Sequence, residues 1–194
     1  MKSKFIEKSF LYDGSQLRSL FAYLNFELEG DSIVAWQGPC NIPFDKMIDG
    51  EDLLAKSAIC GENMLHFIVE LFGASLAQSV AMQRLLASMA SDTLQEMNST
   101  LRIGAGPNLL RREGDDLFIG ERKLSISIAT VSPVSALIHF AVNVDNRGTP
   151  VPTISLSDLN VAVEPFAKRL LQKFADEAES IARATRKVRP TTSF

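Results

Sequence analysis

Residues 114–144 read GDDLFIGERKLSISIATVSPVSALIHFAVNV, and this stretch decides the fold. Three runs rich in aliphatic and aromatic residues, 117–119, 123–131 and 134–144, are separated by turn signals at Gly120-Glu121 and Ser132-Pro133. Such short spacings favour antiparallel neighbours over crossover connections. Upstream, 101–103 and 109–112 add two further strand candidates, punctuated by Gly106-Pro107 and Glu113-Gly114.

Helical patterns lie on both sides of this strand-dense middle. Residues 75–97 carry Leu76, Val80, Leu85, Leu86, Met89, Leu94 and Met97 at helical spacing. Near the C-terminus, Pro165 opens a helix over 164–187, where its missing N–H costs nothing, with Phe166, Leu170, Phe174, Ala178 and Ile181 as the apolar stripe. Near the N-terminus, Ser15 reads as the cap of a helix over 15–29, striped by Leu17, Leu20, Phe21, Leu24 and Leu28 and stopped by Gly30. Residues 4–11, 32–36 and 64–72 read as strands, the second stopped by Gly38-Pro39 and the third apolar enough to be buried on both faces. Residues 41–61 read as irregular, with a helical turn or two from Glu51. The order predicts an α+β fold, a mostly antiparallel sheet flanked by helices, in a single domain of 194 residues.

Composition narrows the function classes. With 46% hydrophobic and 22% charged residues the chain is neither disordered nor a disulfide scaffold. No apolar run is long enough to span a bilayer. A net charge of −3 does not suit a nucleic-acid binder, and the basic run Arg183, Arg186, Lys187, Arg189 reads as a solvated helix end. The first eight residues hold three lysines with no hydrophobic run behind them, so no secretory signal is expected. Two cysteines, Cys40 and Cys60, fit a reducing cytoplasm.

Most chemical motifs are missing. His66 and His139, both in apolar strands and without a short-spaced partner, read as core histidines rather than metal ligands. Cys40 follows Gly38-Pro39 with no basic neighbour to activate it. Ser132 and Ser135 lack a Gly-x-Ser-x-Gly elbow, and Gly104-Ala105-Gly106 leads into a proline rather than a helix. The turn at 120–121 is more informative. Asp115 and Asp116 precede it and Lys123 follows, with strand alternation placing Lys123, Ser125 and Ser127 on one face. A lysine leading a row of hydroxyls is a cradle for a carboxylate or phosphate; the same pattern also suits a hairpin whose polar face meets water. Arg111 and Arg112, with fork geometry suited to phosphate, are second candidates for an anion.

Asp116-Leu117, Gly120, Lys123-Leu124 and the run from Ile138 and His139 through Asn143-Val144-Asp145 resemble the catalytic half of the biotin/lipoate protein ligase and octanoyltransferase superfamily. That superfamily carries an N-D-L strand, a Gly-x-Lys turn and a strand leading to Asn-Val-Asp. Gln37-Gly38-Pro39 resembles its His-Gly-Pro stretch, which brings Gly38 in as a ligand-binding candidate. The whole chain is similar to the prokaryotic family called domain of unknown function 366, through Tyr12-Asp13-Gly14-Ser15-Gln16-Leu17, Met64-Leu65-His66-Phe67-Ile68-Val69-Glu70 and Lys123-Leu124-Ser125-Ile126-Ser127-Ile128-Ala129. The resemblance implies the class II aminoacyl-tRNA synthetase-like sheet of the biotin/lipoate ligases.

It also implies roles. Lys123 would contact the carboxyl or acyl-phosphate end of a small carboxylic acid or its adenylate. Asp116 would orient it or contact magnesium, and His139 would line the pocket. An enzyme of this kind would use ATP and magnesium and serve an acyl-carrier or acceptor domain. The sequence departs from the pattern in three places: no arginine-and-glycine-rich ligand loop in the first hundred residues, Ile126 in place of a small residue, and no cysteine over 133–138. An acid-activating or acid-transferring enzyme and a non-catalytic binding or sensing module are both open on this reading.

Overall fold

The computed structural model describes residues 1–104 and 106–191; Ala105 of the Gly104-Ala105-Gly106 stretch lies outside the described residues. A five-stranded sheet is built from β1 (Lys2–Ile6), β2 (Ser32–Ile42), β3 (Ile59–Phe72), β7 (Ser125–Val131) and β8 (Ser135–Asn143), in the order β1-β2-β3-β8-β7. Only β1 and β2 run parallel; the other pairs are antiparallel. A second sheet joins β4 (Leu110–Glu113), β5 (Asp116–Ile119) and β6 (Arg122–Lys123). The helices are α1 (Phe21–Phe26), α2 (Gly50–Ala55), α3 (Leu76–Met97) and α4 (Val163–Ala184), with a 3₁₀ turn at Phe44–Lys46. This is the α+β, mostly antiparallel layout read from the sequence.

The strands of the larger sheet alternate between two environments, as a period of two requires. Leu65, Phe67 and Val69 of β3 and Ile138, Phe140 and Val142 of β8 face α3 and α4 and join Leu86, Ala90, Phe166, Leu170 and Phe174 in one dry cluster. Leu110, Leu117, Ile119 and Leu124 of the smaller sheet and its exit belong to the same cluster. On the other face Met64, Ile68, Leu137 and Ala141 pack with Tyr12, Leu17, Phe21 and Trp36. Helix α3 begins at a capping box, in which Ser75 Oγ accepts from Gln78 N and Gln78 Oε1 accepts from Ser75 N. Helix α4 buries Phe166, Leu170 and Phe174 but outruns the sheet, so Ile181 is exposed.

Four sequence expectations are corrected. The helix over 15–29 shrinks to α1. Asp13 draws Ser15 into a turn, its Oδ1 accepting from the Ser15 N–H and hydroxyl, and the buried Glu70 carboxylate accepts from Leu20 N at 2.9 and 3.0 Å. That bond accompanies a left-handed Leu20 (φ 62°), which breaks the helical run; Leu24 is left exposed. The first strand is 2–6 rather than 4–11. β2 continues past Gly38-Pro39 to Ile42 because a bulge between Gly38 and Cys40 absorbs the proline, with Tyr12 N donating to Pro39 O and Asn41 N to Tyr12 O. Gly38 is needed there, since a Cβ would lie 2.1 Å from Phe10 O. The strand at 101–103 reduces to one bridge, Ile103 to Leu110.

Candidate functional site

A cavity of about 400 Å³ lies over the sheet face turned away from α3 and α4. Ile126 and Ile128 of β7 and His139 of β8 line it from the sheet, Tyr12 and Leu17 from the N-terminal segment, and Met47, Asp49 and Asp52 from the 3₁₀ turn and α2. Its size is in the range of small-molecule pockets. Lys123 and Asp116 reach it from the smaller sheet.

The tight turn between β5 and β6 sets that pair. Phe118 pairs with Lys123 and Ile119 with Arg122, and Gly120 turns the chain at φ 58°, where a Cβ would lie 2.3 Å from Pro107 O. Lys123 Nζ lies 2.7 Å from Asp116 Oδ2, both side chains roughly one-quarter to one-third exposed. Asp116 Oδ1 is buried and has no hydrogen-bond donor among the described residues. Burial pushes the Asp116 carboxyl above the usual range, Lys123 opposes this, and Asp115 and Asp52 add to it. Asp52 is raised too, by burial and then by Asp49. Asn143 Nδ2 donates to Lys123 O at 3.1 Å and to Ile154 O at 3.3 Å, holding the lysine backbone.

The expected row of Lys123, Ser125 and Ser127 on one face is not formed. The strand breaks at Leu124, whose N–H donates to Leu117 O in one sheet while its carbonyl accepts from Asn143 N in the other. That break resets the alternation. Ser125 is buried with its Oγ accepting from Leu117 N at 2.8 Å. Ser127 reaches the cavity edge, but its hydroxyl donates to His139 O and accepts from Gln83, which also donates to Asp115. Ile126 and Ile128 take the cavity side instead.

Arg111 and Arg112 do not line the cavity. Arg111 pairs with Glu113 and stacks over Phe118 at 4.8 Å, and Arg112 donates to Gly114 O. Gly38 also lies off the cavity, supporting it through its carbonyl, 3.2 Å from His66 Nε2. Cys40 is buried, and burial pushes its thiol up to about 12. Cys60 does line the cavity, its thiol donating to Gly148 O.

Sequence reading treated the two histidines separately; the fold joins them. His66 Nδ1 and His139 Nε2 are 3.1 Å apart. Tyr12 stacks on His139 at 3.7 Å between centroids and Trp36 on His66 at 5.1 Å. Burial holds both rings below the ordinary histidine range, His66 at about 4, and His66 lowers His139 further. Pairing Ile68 with His139 and His66 with Ala141 puts the rings diagonally on one face, a register that residue types alone do not specify. Asp49, Asp52 and Tyr12 were likewise missed, because they reach the cavity from segments whose path no periodicity encodes.

A mostly antiparallel sheet with two long helices on one face and a cavity on the other is the α+β fold of the biotin/lipoate protein ligases. At a TM-score of 0.60 and 13% identity the chain resembles a biotin protein ligase variant from Aquifex aeolicus in complex with biotin, covering 92% of this chain and 70% of that one. It resembles Ta0514 from T. acidophilum with bound lipoic acid at a TM-score of 0.57 and 14% identity, covering 91% and 86%. Much nearer is a protein of unknown function from Pyrococcus horikoshi, at a TM-score of 0.90 and 37% identity over 98% of each chain. Residues 1–189 match the family Domain of unknown function (DUF366), and the chain belongs to that family, with a fold like that of the ligases.

Proposed function

We propose that this protein binds a small carboxylic acid, its apolar body against Ile126 and Ile128 and its acid group at Lys123. The carrying observation is the Lys123–Asp116 pair at the edge of a half-apolar cavity. An ammonium has three N–H donors, and Asp116 takes one of them. The others can hold a ligand carboxylate without breaking the pair. Two of the fold's solved relatives carry the acids biotin and lipoic acid, which supports the reading.

The donor set does not fit ATP. Among the described residues Asp49, Glu51, Asp52, Asp115 and Asp116 line the cavity, against Lys46 and Lys123 and no arginine. Both lysines are ion-paired, Lys46 with Asp13 at 2.5 Å. A triphosphate would meet more carboxylates than free cations. We therefore assign binding and derive no activating or transferring step.

Calorimetric titration of the wild type and Lys123→Ala with octanoic acid, lipoic acid and biotin tests this. At least one acid should bind the wild type, and the variant should lose about tenfold or more, the scale of a hydrogen bond to a charged group. Equal binding by the variant, or no binding of any acid, overturns the proposal.

A further inference from the structure

The Gly38 carbonyl, His66 and His139 form a hydrogen-bond relay with a direction. A carbonyl oxygen only accepts, so the His66 Nε2–H must donate to Gly38 O at 3.2 Å. A neutral imidazole carries one N–H. His66 Nδ1 is then an acceptor, and the His139 Nε2–H, 3.1 Å away, donates to it. That leaves the lone pair of His139 on Nδ1. Among the described residues this nitrogen has no hydrogen-bond partner, and it is not one of the sealed polar atoms. The ring is 1% exposed and lines the cavity, so Nδ1 opens onto that space. Tyr12, stacked at 3.7 Å, fixes the ring plane.

We infer that His66 is a positioning residue that locks His139 in its Nε2–H tautomer, so that the cavity floor presents a hydrogen-bond acceptor and selects acids whose far end bears an N–H or O–H donor. The inference rests on the reading that the acid group sits at Lys123. An unpaired acceptor closed off by an apolar tail costs binding energy, and a donor on the tail restores it. Ile128 pairs with His139 and lies five residues along the chain from Lys123, a backbone span of at most about 17 Å. That upper bound admits an acid of medium chain length.

Two measurements test this on the full chain. In ¹⁵N-histidine-labelled protein at neutral pH, the ring nitrogens should report His139 with Nε2 protonated and Nδ1 bare; the opposite tautomer, or a mixture, overturns the inference. Titration with octanoic acid and 8-hydroxyoctanoic acid should give about tenfold tighter binding of the hydroxy acid, with the His139 Nδ1 resonance shifting only for that ligand. His66→Leu should reduce the preference to within about twofold while octanoic acid still binds. If that variant does not fold, the wild-type comparison alone decides. Equal binding of the two acids by the wild type overturns the donor selection and leaves acid binding intact. Binding of neither acid overturns the selection, whichever tautomer is observed, and the proposed function falls with it only if lipoic acid and biotin also fail to bind.

Discussion

Strands β3 and β8 present two faces that the same pairing built differently. Phe67 and Phe140, cross-strand partners, point at α3 and α4 and join the apolar cluster there. One residue away along each strand, His66 and His139 point the other way into an aromatic stack with Tyr12 and Trp36. The covers explain the contrast. Two long helices close one face over a continuous buried apolar cluster, whereas the other is closed by turns, bulged strand and six-residue helices that leave about 400 Å³ open. A regular cover optimises packing, and an irregular one leaves room for a ligand and for polar groups to meet it. The site of a sheet protein is therefore sought under its least regular cover.

The sharpest way to break this comparison is truncation on both faces. Phe140→Ala should cost about 3–5 kcal/mol in urea unfolding, as expected for a phenylalanine removed from a closed core. Ile128→Ala, which borders an existing cavity and is only partly buried, should cost about 1 kcal/mol. Comparable losses would mean that the two faces are equally tightly packed and that the cavity is filled by rearrangement.

The dry face was legible in the sequence and the wet face was not, for the same reason. Leu86, Leu94, Phe166, Leu170 and Phe174 recur at helical period, and the strands 64–72 and 134–144 are apolar almost throughout, so these elements and the burial of those residues could be read directly, although Leu76 of the same stripe is exposed. The N-terminal stripe of Leu17, Leu20, Phe21 and Leu24 has the same period but is overridden by one tertiary bond, the buried Glu70 carboxylate taking Leu20 N. Lys123 and Asp116 were legible because a tight turn places them locally. Ser125 and Ser127 were misplaced because Leu124 leaves one sheet for another, and the alternation rule holds only within a strand.

Acid should separate the faces next. The His66 and His139 pKa values are lower folded than unfolded, so the native state binds fewer protons between the two values. Stability from this source is fully present above about pH 6.5 and is lost as pH falls through the interval down to about 4. Between pH 7 and 5 the His66 shift alone implies a loss on the order of 2 kcal/mol. Asp116 and Asp52 are shifted upward, so their protonation relieves a penalty as pH falls and partly opposes the histidines. Urea unfolding at the two pH values checks the sign. A His66→Leu, His139→Phe double variant should flatten the difference, whereas an unchanged slope would show that the two pKa values do not differ between the folded and unfolded states.

The smallest effect is expected where ligand binding is assigned. Lys123→Ala removes an ion pair whose members are each about one-quarter to one-third exposed, and such pairs contribute roughly 0.2–1 kcal/mol. The variant leaves Asp116 beside Asp115 and Asp52 without its compensating charge, with one oxygen already lacking a donor among the described residues. Its carboxyl pKa should rise further, and protonation limits the cost of stranding it. Stability at pH 7 should therefore fall by about 0.5 kcal/mol and by less at pH 5, where Asp116 is more readily neutral. A loss as large as that of Phe140→Ala would make Lys123 a structural residue. A near-silent unfolding curve beside a tenfold loss of acid binding would place its role at the cavity, where the open face differs most from the closed one.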